Sequence, residues 1–447
     1  MSLLINKDAE NRTAFLVEPA RPSLEWNRDK SRDCAPREAG RRRSRRLASV
    51  RRGASRRRGG DLLLSRVGSR FWLWITVACL ALASTPGSLA HAGFEYNVRD
   101  LGVLAGGSQS FALGISSTGL VTGYGNLPGS GSHAYVSGTG GLVDLGVLPN
   151  YASSQGNAVN ASGMVAGFSQ GPAGGSASTM QAMTAQANST PQAINYLPGQ
   201  VTSFATGIND GGRVVGYGAN LQNQFQGFVV AAGSHTPTAL TGFTPLGATE
   251  AFAISNTGLI VGSAALSGGA WHAMATTGPG STAVDLGTLA GGSNSYALAV
   301  SENGSYIVGY GDVAGGATHA FLYSASGGIV DLGTLGGNSL SIAQGVNDAR
   351  DIVGQSGSAG GGIPFLDTPA NGMQNLNALV DPSAGFSIQT ATGINNNGQI
   401  SATGIDAGGH VHGLLLTPVG GVPEPSSLLI LLLGGATFAL FHRLRRA

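Results

Sequence analysis

Histidines and aspartates recur at matching places along the chain, and imidazoles and carboxylates are groups that bind metals or move protons. His133, His272 and His319 each precede an alanine, and four aspartates each precede a Leu-Gly pair. Those aspartates are Asp100, Asp144, Asp285 and Asp331. No calcium-loop or zinc spacing accompanies either set. We therefore expect hydrogen-bonding histidines and strand-end aspartates with no metal or other cofactor, and calcium held by the aspartates is the alternative.

Three acidic residues, Glu250, Glu302 and Asp351, depart from the repeating pattern around them and are the first candidates for acid–base chemistry. Glycoside hydrolysis needs two carboxylates within about 10 Å of each other at one site. Because repeated units supply no unique pair of this kind, we expect no catalytic residue. A carbohydrate-active enzyme is the alternative.

Trp271 is the only tryptophan after residue 92. Its ring could pack between structural units or stack on a sugar. We expect packing, and contact with a sugar ligand is the alternative.

Charge is distributed unevenly along the 447 residues. Nineteen of the 25 basic residues precede residue 93, and three more lie in the last five positions. Between them, three arginines against fifteen acidic residues give residues 93–424 a net charge of −12. Such a surface repels a phosphate backbone, which excludes nucleic-acid binding.

An apolar run over 71–83 follows two arginines and leads to Ala90-His91-Ala92. A cationic flank, a short apolar stretch and small residues at Ala90 and Ala92 are typical of a secretory signal peptide cut by signal peptidase. A buried core helix and a lipoprotein signal at Cys79 are the alternatives. The pattern predicts a signal helix within residues 67–92.

The arginine-rich residues 1–66 show no apolar periodicity. A signal peptide usually begins its protein, so we interpret this leader as a misassigned start, with translation beginning near Val67. A disordered basic arm and a twin-arginine signal are the alternatives.

The chain ends with Pro423-Glu424-Pro425, an apolar stretch over about 426–441 and a basic tail over 442–447. The stretch is short but long enough to span a membrane, and the arginines would keep the tail in the cytoplasm. The tail's arginines are Arg443, Arg445 and Arg446. The prolines hold Glu424 in extended backbone outside the membrane, where a protease can read it.

Residues 422–447 resemble the PEP-CTERM sorting signal of Gram-negative bacteria. The resemblance implies an exosortase partner, a membrane-anchored precursor exported across the inner membrane, and delivery to the cell surface or extracellular matrix. The family is associated with extracellular polysaccharide and biofilm. A plain anchor helix is the alternative.

Residues 93–420 contain seven copies of one unit at spacings of 43 to 49 residues. Each copy centres on a turn such as "GINDGGRVVGYG" at 207–218. The first turn residue is Asn or Ser in every copy: Ser116, Asn160, Asn209, Ser255, Ser301, Asn347 and Asn395. The fourth is Gly119, Gly163, Gly212, Gly258, Gly304, Arg350 or Gly398. This pattern predicts a type I turn closed by a residue of positive φ, with a strand on either side.

A third strand recurs at "HAFLY" (319–323) and a fourth at "IVDLG" (329–333). These units resemble the HAF repeat, an extracellular bacterial repeat. Four strands in about 44 residues match one blade of a β-propeller, so we expect an all-β, seven-bladed ring. The strand at "FEYNVRDLG" would complete the last blade, and an open solenoid is the alternative. With the two terminal signals, the sequence predicts a cell-surface or matrix protein with a structural or polysaccharide-binding role in biofilm.

Overall fold

The computed structural model describes residues 95–171, 180–243, 247–358 and 361–419. These residues form 28 β-strands, which pair as seven four-stranded antiparallel units, here called blades 1 to 7. Three single-turn 3₁₀ helices interrupt the strands: Leu335–Gly337, Leu376–Ala378 and Pro382–Ala384. The predicted all-β class and its four-stranded units are confirmed.

The first four blades follow the chain without interruption. Blade 1 consists of β2 (Ser110–Ile115), β3 (Val121–Leu127), β4 (Ser130–Gly138) and β5 (Gly141–Asp144). Blade 2 consists of β6 (Ser153–Val159), β7 (Val165–Gln170), β8 (Met180–Ala185) and β9 (Gln192–Ala193). Blade 3 consists of β10 (Thr202–Ile208), β11 (Val214–Ala219), β12 (Phe225–Val230) and β13 (Pro237–Ala239). Blade 4 consists of β14 (Thr249–Ile254), β15 (Ile260–Ala265), β16 (Trp271–Thr276) and β17 (Val284–Gly287).

The last three blades include the strand nearest the N-terminus. Blade 5 consists of β18 (Ser295–Val300), β19 (Tyr306–Asp312), β20 (Thr318–Ser324) and β21 (Gly328–Gly333). Blade 6 consists of β22 (Leu340–Val346), β23 (Ile352–Ser358), β24 (Gly361–Thr368) and β25 (Gly372–Asn375). Blade 7 consists of β26 (Phe386–Ile394), β27 (Ile400–Asp406), β28 (Val411–Pro418) and β1 (Tyr96–Asp100).

The blades close into a ring. The first strand of every blade contacts the first strands of the blades before and after it, and β2 of blade 1 also contacts β26 of blade 7. The seven first strands are therefore innermost and surround the ring axis. A ring of four-stranded antiparallel sheets is the architecture of a β-propeller.

The ring is locked by β1, which pairs antiparallel with β28 from Tyr96↔Pro418 to Asp100↔Leu414. The backbone N–H of Val419 also donates to the carbonyl of Glu95 at 2.8 Å. The two ends of the ring therefore lie side by side at one edge of blade 7, as the phase of the repeats predicts.

Apolar side chains fill the spaces between neighbouring blades. Seven separate buried clusters occur, one at each blade interface of the described chain. The interface of blades 4 and 5, for example, buries Val261, Leu286, Ile307 and Phe321. Burial at about 25 cal/mol per Å² makes these interfaces the main source of stability.

The turns between first and second strands all lie on one face of the ring, here called the turn face, because successive strands run in opposite directions. In each turn the fourth residue donates its N–H to the first residue's carbonyl. The fourth residue has φ between 71° and 90° in every copy, including Arg350. A type I turn followed by a left-handed residue gives a three-residue hairpin loop, and glycine adopts that conformation without strain.

The first turn residue has two roles when it is asparagine. In each turn its side-chain oxygen, or the serine hydroxyl, accepts an N–H from further along the same turn. The asparagines Asn160, Asn209, Asn347 and Asn395 also donate their amide to the first turn carbonyl of the next blade. The bond from Asn395 reaches Ser116 at 3.0 Å and so joins blade 7 to blade 1.

We expect Asn395→Ser to lower the free energy of unfolding by about 1 kcal/mol, because serine still caps its own turn but cannot reach Ser116. Asn395→Ala should cost roughly twice as much, because the cap is lost as well. Urea unfolding followed by circular dichroism measures both. Equal midpoints for Asn395→Ser and the parent would show that the amide bond contributes nothing to closure.

Candidate functional site

Four histidines of the third strands are paired with fourth-strand aspartates. The Nδ1 atom lies 3.0 Å from the carboxylate in His133–Asp144, 2.9 Å in His272–Asp285, 2.9 Å in His319–Asp331 and 2.8 Å in His412–Asp100. Each pair lies within a single blade, and in blade 7 the pair joins Asp100 on β1 to His412 on β28, at opposite ends of the ring's sequence. The histidines and the aspartates were predicted as separate sets. In blades 1, 4 and 5 the histidine precedes its aspartate by 11 to 13 residues, and this similar separation is the signal that links them.

The same aspartates also accept a backbone N–H from the glycine two residues later, at 2.7–2.8 Å. Each aspartate thus makes two contacts within its own blade, and each His–Asp pair lies in a different blade. In the part of the chain that the structure describes, no three His, Cys, Asp or Glu side chains come close enough together to hold a metal ion.

The second residues of the seven turns form a cluster on the turn face, here called the turn crown. Its members are Ser117, Ala161, Asp210, Asn256, Glu302, Asp348 and Asn396. Ser117 Oγ donates to Asp210 Oδ2 at 3.0 Å, although blade 2 lies between them. Asn396 Nδ2 donates to Glu302 Oε2 at 3.0 Å and to Asp348 Oδ2 at 2.9 Å. Because the Ser117–Asp210 and Asn396–Glu302 bonds join blades that are not neighbours, the crown spans the mouth of the channel on the turn face.

Glu302 is the member of the crown with the clearest electrostatic perturbation. Burial raises the pKa of its carboxyl, and the negative charges of Asp210 and Asp348 raise it further. The hydrogen bond from Asn396 opposes this increase. A raised pKa in the folded state means that ionised Glu302 weakens the fold.

We expect Glu302→Gln to stabilise the protein at pH 7 more than at pH 4.5. The folded-state pKa of Glu302 is raised, so its favourable contribution is complete below the unfolded value and is lost as pH rises through the folded value. Asp406→Asn is the control with the opposite sign. Hydrogen bonds from His410 lower the pKa of Asp406, and both pH values lie above its unfolded value of 3.8, so Asp406→Asn should destabilise the protein by a similar amount at both. Urea midpoints at the two pH values test this, and equal Glu302→Gln effects at both would contradict it.

Six aromatic side chains form a continuous cluster across blades 2 to 4, here called the aromatic wall. They are Phe168, Phe204, Tyr217, Phe225, Phe252 and Trp271. Neighbouring ring centroids lie 5.1 to 6.4 Å apart. Phe225 and Trp271 begin third strands, so this end of the wall lies on the face opposite the turns. Tyr217 and Trp271 are buried, and the four phenylalanines keep part of their surface exposed.

Glu250 lies beside the wall on the innermost strand of blade 4. Its side chain is buried, and Ser263 Oγ donates to its Oε2 atom at 2.9 Å. Burial raises the pKa of Tyr217, and the nearby Glu250 and Tyr310 raise it further. Side chains of blades 3, 4 and 5 therefore lie near one another at Tyr217.

The three candidate acidic residues do not come together. Glu250 is near the start of β14, whereas Glu302 lies against Asn256, beyond the end of that strand. Six residues of strand at about 3.3 Å each put the two carboxylates roughly 20 Å apart. Asp351 accepts the Asn347 amide at 3.0 Å within its own turn. The carboxylates that do converge are those of the turn crown, a set that the repeat alignment did not single out.

The predicted signal-cleavage residues Ala90 and Ala92 and the sorting-signal residues 423–446 lie outside the described residues. Among the residues that are described, no helix has the length and apolar character needed to cross a membrane.

No protein-family model matches the chain, and no curated protein matches it. Several solved structures are similar in architecture. TolB from Acinetobacter baumannii has a TM-score of 0.41 and 12% identity over 57% of this chain and 63% of its own. The BP39L lectin from Burkholderia pseudomallei has a TM-score of 0.39 and 12% identity over 71% and 97%. A putative TolB from Agrobacterium tumefaciens has a TM-score of 0.37 and 16% identity over 50% and 79%. No function follows from similarities at this level.

Proposed function

We propose that this chain is an exported bacterial cell-surface or matrix protein whose seven-bladed ring binds extracellular polysaccharide without cleaving it. The observation that carries this proposal is the aromatic wall. Sugar rings present apolar faces that stack on aromatic side chains, and binding sites combine such faces with a few polar groups. Here the polar groups nearest the wall are Glu250, Tyr310 and Ser263.

The wall also stands out from the rest of the repeat. The serines, glycines and asparagines that recur from blade to blade are engaged in turns and blade contacts. The aromatic cluster occupies blades 2 to 4, so it gives one side of a nearly symmetric ring a distinct chemistry.

Binding of the host's own exopolysaccharide to the purified protein tests the proposal. We expect Phe225→Ala and Phe252→Ala to weaken binding at least about tenfold, since each removes a partly exposed ring of the wall. Phe111→Ala is the matched control, because Phe111 stacks on Tyr124 in blade 1, outside the wall. Equal losses in all three variants, or none, would refute a role for the wall.

A carbohydrate-active enzyme is the second candidate, favoured by the convergence of Asp210, Glu302 and Asp348 at one mouth. A carboxyl with a raised pKa near a second carboxylate is the arrangement used for glycoside hydrolysis. Each crown carboxylate accepts hydrogen bonds from the turns of other blades, which favours a structural role. Release of reducing ends that disappears in Glu302→Gln would establish the enzyme instead.

The processing steps are part of the same proposal. Signal peptidase would cut after Ala92, and exosortase would act at Pro423-Glu424-Pro425. The mass of the mature protein from fractionated cells tests both cuts. An N-terminus other than Gly93 would contradict the first, and an intact tail in the inner membrane would contradict the second.

A further inference from the structure

Glu250 is the one charged residue at its position of the repeat. On each innermost strand, one residue pairs in register with the residue that follows the central glycine of the second strand, or the central alanine in blade 7. In the seven blades these are Phe111, Gln155, Phe204, Glu250, Tyr296, Ile342 and Thr390. Burying a carboxylate in this row costs more desolvation than burying an aromatic or an amide side chain would. Its place in blade 4 therefore needs an explanation beyond packing.

The surroundings of Glu250 are aromatic. Tyr217, which is close enough to feel its charge, has the rings of Phe204 at 5.3 Å, Phe252 at 5.8 Å and Phe225 at 6.0 Å. Aromatic faces carry negative electrostatic potential and attract ammonium groups. A carboxylate among such faces adds a charge-assisted hydrogen-bond acceptor for the same group.

The net charge of the ring also favours a cationic ligand. Residues 93–424 carry a net charge of −12, and their only basic residues are Arg99, Arg213 and Arg350. None of these three belongs to the aromatic wall. The long-range field therefore repels acidic polymers and attracts cationic ones.

We infer that the aromatic wall binds a glycan with free amino groups, whose sugar stacks on the wall while its ammonium group lies between Glu250 and Tyr217. This inference rests on the proposed polysaccharide binding and names the chemical class of the ligand. The phenylalanines supply affinity for any sugar, and Glu250 supplies the preference for an amine over an acetamide.

The test compares two hexamers of the same length and linkage, β-1,4-glucosamine and its fully N-acetylated form. Isothermal titration at pH 6, where the amines are charged, should show the parent protein binding the amine at least about tenfold more tightly. Glu250→Gln should reduce that ratio severalfold, leaving only the preference due to the net charge of the ring, while still binding the acetylated hexamer. Glu302→Gln removes the same charge from the turn face and should leave the ratio unchanged.

Two outcomes overturn the inference: equal binding of both hexamers by the parent, or an equal drop in the ratio for Glu302→Gln and Glu250→Gln. If Glu250→Gln does not fold, the parent's ratio is measured at pH 9 and at high salt instead. Neutral amines and screening should abolish the preference, and a ratio that persists would refute it. This result is distinguishable from failure of the proposed function. The proposed function fails only if the wall variants and Phe111→Ala lose binding of the host polysaccharide equally, or not at all.

Discussion

Deleting residues 93–101 should open the ring and cause the largest loss of stability of any change considered. The deletion removes β1 and with it the whole ladder to β28. It also removes the buried Tyr96 and Leu101, which pack in the clusters on either side of blade 7. Burial of two such side chains contributes about 3–6 kcal/mol. Urea and thermal unfolding should show a correspondingly earlier transition.

The deletion also exposes the edge of β28, whose unpaired backbone groups can pair with another chain. Size-exclusion chromatography with light scattering should therefore detect self-association that the parent lacks. A synthetic peptide of residues 94–101 should restore the parent midpoint by adding the missing strand, and a scrambled peptide should not. Asp100→Asn, which keeps the strand and weakens only the His412 pair, should cost no more than about 1 kcal/mol. A monomeric deletion variant with the parent midpoint would show that the ring does not depend on β1.

Local chemistry in the sequence was enough to predict the repeating part of this fold. Asn or Ser at the first turn position and Gly at the fourth specify the hairpin, because both preferences arise within five residues of chain. The seven copies then set the number of blades, and the offset of the "DLG" strand at residue 100 indicated where the ring closes. The glycines inside the second strands are also required by local geometry. A Cβ at Gly123 would lie 1.8 Å from the carbonyl oxygen of Phe111, since the bulged inner strand passes so close.

The contacts between blades could not be predicted in the same way, because they join residues far apart in sequence. The pair of Asp100 with His412 spans 312 residues, and the bond from Asn395 to Ser116 spans 279. The aromatic wall has the same origin. Its members occupy different strands of different blades, and only the curvature of the ring brings Phe168, Phe204 and Trp271 into one cluster. Trp271, for which the sequence predicted packing between units, is buried with its ring centroid 6.4 Å from that of Phe225 in the preceding blade.

The His-Ala-Phe triplet is explained by three different contacts in blade 5. His319 pairs with Asp331 of its own blade. The backbone N–H of Ala320 donates to Ser341 Oγ of blade 6 at 2.8 Å, and that hydroxyl donates to the carbonyl of Gly333 at 2.5 Å. Phe321 is fully buried between blades 4 and 5.

Departures from the triplet support this division of roles. Blade 6 has Pro364 at the alanine position, and proline has no N–H to donate. At the matching position of blade 7, where the other blades have serine or threonine, the residue is the buried Ile388, which pairs with Gly404. A hydroxyl there would lack its donor, so an apolar side chain is the better neighbour for a proline. The serine or threonine hydroxyl and the N–H that it accepts therefore occur together or are absent together.

Three single substitutions in blades 5 and 6 should therefore lower the free energy of unfolding by different amounts, in a fixed order. Phe321→Ala should cost about 3–5 kcal/mol, because it leaves a cavity in a fully packed interface. Ser341→Ala should cost about 1–3 kcal/mol, since a buried N–H and a buried carbonyl lose their partner. His319→Ala should cost at most about 1 kcal/mol, because its pair with the partly exposed Asp331 is screened by water. Urea unfolding of the three variants measures the order, and a His319→Ala effect larger than that of Phe321→Ala would mean that the histidine, not the packed ring, maintains the blade contact.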